Sequence, residues 1–152
     1  DIPDSWIKTV LDYCDEYNRY LFQSKNPARI LEYLDHPVFK RSVVCTTIET
    51  NRSYPEIMRN SPLIEDRVKA MVDISTRGIK TYVTTEPLIE FDLNEMIECI
   101  KRCNPEQVNI GKNTNGKVCI PEPTPEEVQA LAEELKKFTK VEVKKNAKIW
   151  FK

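Results

Sequence analysis

The amino-acid sequence predicts an α/β fold, an open, mostly parallel sheet of about four to five strands with crossover helices. Two observations carry this expectation. Segments with the 3.6-residue apolar period of a half-buried helix alternate with short β-branched runs along most of the chain. The stretches between those runs are long enough to hold a helix, which parallel neighbours require and hairpins do not. A right-handed crossover at each step would bring all the strand C-terminal ends to one edge.

A first helix is expected over Ser5 to Tyr17, where Ile7, Val10, Leu11 and Cys14 form one apolar stripe. A strand follows over Tyr20 to Lys25. Asn26-Pro27 reads as an N-cap and first-turn proline for a helix through Ile30, Leu31 and Leu34. Arg41 to Thr50 is dense in β-branched residues and reads as the second strand. Ser61-Pro62 opens a helix striped by Ile64, Val68, Met71 and Val72, and Gly78 ends it. Thr81 to Glu86 is the third strand, closed by Pro87. Asp92 and Glu95 have capping-box spacing for a helix from Leu93 to Cys103, which Asn104-Pro105 stops. Gln107 to Gly111 is a fourth strand. Thr124 and Glu127 form a second capping box, before a stripe of Val128, Leu131, Leu135 and Phe138. The last segment, from Lys140, reads as a terminal strand. Two long loops, Asn51 to Asn60 and Lys112 to Pro123, stand out, and the first could be a lid or a plain connection.

The 152 residues are the size of one domain, with 40% hydrophobic residues to build its core. Charged residues make up 31% and mean hydropathy is -0.51. No run reaches the roughly 18 apolar residues of a membrane span, and the N-terminus lacks a signal-peptide layout. Five cysteines, too sparse for a disulfide framework, point to a reducing, cytoplasmic setting. Three glycines exclude glycine-rich phosphate loops, and a single histidine, His36, excludes multi-histidine metal sites. His36, in Asp-His-Pro past a helix end, is read as a cap or surface residue. The net charge of -1 does not argue for nucleic acid.

Side chains alternate faces along a strand. Phe22, Val44, Ile48, Val83, Val108 and Ile110 are assigned to the helix-packed face. The opposite face takes Gln23, Lys25, Thr47, Glu49, Thr84, Glu86, Gln107 and Asn109, with Cys45 and Tyr82 lower down. Those polar residues gather near strand C-terminal ends, where barrel folds build their sites. Lys25 could pair with Glu49 or Glu86, or these groups could converge on a ligand in one shared cavity.

Four motifs lie in order: FQSKNPAR (Phe22 to Arg29), VVCTTIETNR (Val43 to Arg52), YVTTEPL (Tyr82 to Leu88) and QVNIG (Gln107 to Gly111). In this order they resemble a radical-SAM-like family, common in phages and prophages, whose reaction is unassigned. The resemblance covers about Tyr17 to Gly111. It implies a partial (βα) barrel that binds S-adenosylmethionine beside a four-iron four-sulfur cluster. It also implies that Lys25, Thr47, Glu49, Glu86, Asn109 and Gly111 line the cofactor cavity. Thr47 and Glu49 would lie toward the ribose and methionine part, and Asn109 and Gly111 toward the adenine. The family's C-x3-C-x2-C motif is absent. Cys99 and Cys103 give C-x3-C, but residue 106 is Glu106, and Cys103 continues the apolar stripe of Leu93, Met96 and Ile100. Cys119 leaves a weak metal option. No metal ligands are assigned.

The chain is therefore expected to be the later half of a barrel with its first two strands absent. It would be an excised segment, one product of a split polypeptide, or a reduced family member. It would be inactive alone and enzymatic only with a cluster-binding N-terminal part. The open edge beside Tyr20 to Lys25 would pair with that missing segment or with a second copy, unless the first helix folds over it. The alternative function is a non-catalytic module holding nucleic acid or a partner chain through its basic C-terminal segment. Lys136 to Lys152 carries seven lysines and one glutamate, and Trp150 and Phe151 could stack bases. A solvated strand with Val141 and Val143 packed inward is the favoured reading of that segment.

Overall fold

The structure is a computed structural model, and it describes residues 2–116 and 118–152. Lys117, in the second long loop, lies outside the described residues. A single sheet carries strands β1 (Tyr20–Gln23), β2 (Ser42–Thr47), β3 (Lys80–Thr85), β4 (Gln107–Ile110) and β5 (Lys140–Val143). Their order is β1-β2-β3-β4-β5 and every pairing is parallel. The helices are α1 (Asp4–Asp12), α2 (Ala28–Leu31), α3 (Pro55–Met58), α4 (Ile64–Thr76), α5 (Leu93–Arg102) and α6 (Pro125–Leu135). Sequential parallel strands joined by crossovers of one hand place the helices on one face. Consecutive helices α2, α4, α5 and α6 touch one another along that layer. The fold is α/β and resembles part of a (βα) barrel, as the alternation of periods predicts.

Register fixes which strand residues meet the helices. Phe22 stands beside Val44, and Thr46, Val83, Val108 and Val141 form one row across four strands. Val44, Ile48, Val83, Val108 and Ile110 are buried among Val68, Met71, Met96, Ile100 and Leu131 of the helices. Threonines interrupt this face without leaving polar atoms bare. Thr46 Oγ1 donates to Ser24 O (2.9 Å), and Thr81 Oγ1 donates to Cys103 O (2.8 Å) at the end of α5. The second bond anchors the α5 C-terminus, where Asn104 reverses the chain at φ 49°. Gly78 likewise ends the α4 region at φ 78°, a conformation costly to a side chain.

Several expected boundaries are corrected. α1 ends at Asp12, not Tyr17, because Asp15 Oδ1 accepts from the backbone N–H of Tyr17 and Asn18 and bends the chain into a turn. Asn26 does not cap α2 through its side chain, and the helix is one turn long. A 3-10 helix, Pro37–Arg41, follows; His36 caps it, its Nδ1 accepting from Val38 N–H. The second strand stops at Thr47, not Thr50. Asp92 does not form its capping box, because its carboxylate is held by Arg52 (2.8 and 3.0 Å) and Asn51. Those bonds tie Asn51 and Arg52, the start of the first long loop, to the β3–α5 connection. The terminal strand covers only Lys140–Val143; Lys145–Phe151 is a 3-10 helix that buries Ala147 and Trp150. Trp150 is therefore unavailable to stack on a base. Phe138 lies beyond α6 and is exposed.

The second capping box is present as expected. Thr124 Oγ1 accepts from Glu127 N–H while the Glu127 carboxylate accepts from Thr124 N–H. Replacing a cap of this kind costs about 1 kcal/mol. Thr124→Ala is expected to lower stability by roughly that amount in urea unfolding, with the slope of the transition unchanged.

Candidate functional site

The face opposite the helices carries its own register rows. Gln23, Cys45, Tyr82, Gln107 and Lys140 form one, and Thr47, Thr84, Asn109 and Glu142 form the next toward the strand C-terminal ends. Lys25, Glu49, Glu86 and Gly111 lie just beyond those ends, so all six expected site residues fall at one end of the sheet. The structure ties the charged ones into two ionic clusters, Lys25 with Glu49 and Arg67, and Glu86 with Lys144.

The first cluster centres on Glu49, which is buried. One carboxylate oxygen pairs with Lys25 and the other accepts from Arg67 Nη1 at 2.8 Å. Arg67 reaches from α4 over the end of β2. Its Nη1 also donates to Thr47 O (2.9 Å) and its Nε to Pro62 O (2.9 Å). Its Nη2 is buried without a protein acceptor among the described residues. A charge without solvent must be paired and hydrogen-bonded, and Arg67 meets that demand at Nε and Nη1 through one carboxylate and two carbonyls. Arg67 escaped the sequence reading, yet the signal is present: it falls at i+3 of the Ile64, Val68, Met71 stripe, on the buried face of its helix. Lys25 keeps about half of its side chain exposed and is the solvent-facing member.

The second cluster surrounds Glu86. Its carboxylate pairs with Lys144 and accepts from Asn146 Nδ2 (3.0 Å), which also belongs to the segment after β5. The side chain lies directly against Gly111. A Cβ at that position would stand 2.5 Å from Glu86 Cδ. Gly111 thus lets the Glu86 side chain approach closely, and Glu86 fills the space beside it. A cleft of about 320 Å³ opens next to this pair, lined by Glu86, Pro87, Lys112, Asn113, Thr114 and Asn115.

Between the clusters lies a polar floor. Thr84 Oγ1 is buried and has no protein partner among the described residues, with Thr47 and Asn109 on either side. Gln107 Nε2 donates to Asn109 Oδ1 (2.8 Å), which orients the Asn109 amide along the sheet. The Cys45 thiol is buried, and burial pushes its pKa up to about 11. At the other end of the same face a cavity of about 400 Å³ is lined by Arg19, Lys40, Arg41, Lys80, Tyr82 and Glu106, among others.

The thiols do not gather. Cys103 is buried behind α5 and donates to Cys99 O (3.4 Å), and desolvation pushes its pKa up to about 12. Among the described residues no three His, Cys, Asp or Glu side chains are grouped as metal ligands would be, and no helix is long and apolar enough to cross a membrane.

Two outcomes follow from the geometry. Arg67→Met leaves Glu49 buried with its main partner gone and is expected to cost about 3–5 kcal/mol, while adding Glu49→Gln should recover a large part of the loss. Chemical denaturation of the single and double variants measures both. Gly111→Ala must push the end of the Glu86 side chain aside and loosen its bonds to Lys144 and Asn146, and is expected to cost about 1 kcal/mol or less; the same measurement on Gly111→Ala with Glu86→Ala should show the loss relieved.

Comparison with family models, with curated protein sequences and with solved structures finds no match for this chain.

Proposed function

We propose that this chain is the S-adenosylmethionine-binding part of a radical-SAM-like enzyme of unknown substrate, whose cluster ligands lie on another segment. The observation that carries the reading is the placement of Lys25, Thr47, Glu49, Glu86, Asn109 and Gly111 together at the C-terminal ends of sequential parallel strands. The ordered motifs point to the same residues. Five free thiols suit a cytoplasmic setting.

The residues fit the polar parts of such a ligand. Thr84 Oγ1 is a buried hydroxyl awaiting a partner, flanked by the Thr47 hydroxyl and the Asn109 amide. These groups can accept from and donate to ribose hydroxyls and amino groups. Lys25, fixed by Glu49, presents a cation suited to a carboxylate. Glu86 offers a carboxylate to an ammonium or hydroxyl donor. Because it lies over Gly111 while bonded to Lys144 and Asn146, an adenine resting there requires the Glu86 side chain to move off Gly111. The cysteines do not fit a four-iron four-sulfur cluster: Cys103 is buried, its thiol bonded to a carbonyl one helical turn away. When bound beside such a cluster, S-adenosylmethionine supplies the radical chemistry, and this chain binds and orients it.

Titration of the chain with S-adenosylmethionine in a calorimeter tests the reading. A one-site isotherm is expected, weakened roughly tenfold or more when Thr47→Val and Thr84→Val are combined, since each hydroxyl lost leaves a ligand group unpaired. Absence of saturable heat, or affinity unmoved by that double variant, would refute it. Anaerobic reconstitution of the chain with iron and sulfide is expected to give no stable cluster absorbance.

A further inference from the structure

The first helix carries more apolar surface than its partners cover. One flank of α1 is packed: Leu11 is buried, with Ile7 and Cys14 beside it in the core. Ion pairs of Arg29 with Asp4 and of His36 with Asp12 fasten α1 to the α2 region. A second flank, Ile2, Trp6, Val10 and Tyr13, follows helical spacing and points to solvent. Trp6 is 67%, Tyr13 84% and Tyr17 90% exposed, and Leu21 on β1 is half exposed. No charged residue falls within this stripe.

The stripe has a recess beside it. A cleft of about 300 Å³ between α1, β1 and α2 is lined by Ile2, Ile7, Leu11, Phe22, Ile30 and Tyr33, among others. The strand that borders it, β1, is the sheet edge. Ser24 N–H bonds Cys45 O, so alternation along a parallel strand turns the backbone groups of Leu21 and Gln23 away from β2. Those groups are unpaired within the sheet and free to take a strand.

We infer that this surface is the interface of a homodimer: the α1 flank of Trp6, Val10 and Tyr13 in one copy packs against the same flank and its adjoining cleft in the other, across a two-fold axis beside β1. A ridge next to a matching recess on one patch is what an isologous contact needs. The size agrees. Three rings that each bury roughly 150–250 Å² when covered, exposed by two thirds or more, offer on the order of 500 Å², and Ile2 and Val10 bring the patch toward the roughly 800 Å² per partner of a stable interface. It also exceeds what monomers ordinarily leave bare. The inference rests on the edge and the helix and not on the cofactor reading, so either can fail alone.

The test is the solution mass of the chain by light scattering, under reducing conditions so that exposed Cys119 cannot cross-link it. Twice 17.8 kDa is expected. Trp6→Ser and Val10→Ser, at positions that hold no core contact, should each raise the dimer dissociation constant at least about tenfold with circular dichroism and melting of the monomer unchanged. Amides of Leu21 and Gln23 should exchange more slowly as concentration rises. A monomer across the accessible concentration range would overturn the inference, whether or not the stripe then binds lipid vesicles or another chain. So would a dimer whose affinity neither substitution moves.

Discussion

Each strand of this sheet is followed, through a helical crossover, by its immediate neighbour, and the twist of a strand–helix–strand unit allows only one hand for that step. Repeated without a change of direction, the step sends every crossover to the same side. The helices share one face and the other face is left to polar residues. A sheet whose order reversed would have covered both faces and required both to be apolar.

The strand ends then carry an electrostatic problem. Four ionisable side chains, Lys25, Glu49, Arg67 and Glu86, come within reach of buried backbone, where an unpaired charge is expensive. The fold resolves this by separation. Glu49 is neutralised from one side by Arg67 of the helix layer and from the other by Lys25, while Glu86 is drawn across Gly111 toward Lys144 and Asn146. Each cluster joins elements far apart in sequence, so each clamps the sheet while leaving uncharged hydroxyls and an amide between them. That division gives the candidate site its character: cationic at Lys25, an ion pair at Glu86, neutral in the middle.

The edge at β1 follows from the same repetition. Within the sheet each strand has a neighbour and each helix of the layer has the next helix; at β1 and α1 the series stops. The backbone of Leu21 and Gln23 and the aromatic flank of α1 are the same kinds of surface that the inner units bury against one another. The β5 end is treated differently. Lys140, Glu142 and Lys144 guard that strand, and the 3-10 helix after it folds back to bury Trp150. The two edges are thus unequal, one blunted and one bare.

By itself the sequence determined the alternation of periods, the parallel α/β class, the Thr124 cap, the Gly78 and Asn104 stops, and the strand faces. These rest on local chemistry: apolar spacing, side-chain hydrogen bonds to nearby backbone and allowed dihedral angles. Tertiary structure decided what local chemistry leaves degenerate. Asp92 can cap α5 or bind Arg52, and the guanidinium offers it two charge-assisted bonds where the helix N-terminus offers neutral ones. Asp15 rather than the apolar stripe ends α1. The side on which Glu86 finds its cations, and the choice of Arg67 as the partner of Glu49, depend on groups 58 and 18 residues away in the chain. Long-range ion pairs carry no periodicity, so only the packed chain could say which carboxylate meets which cation.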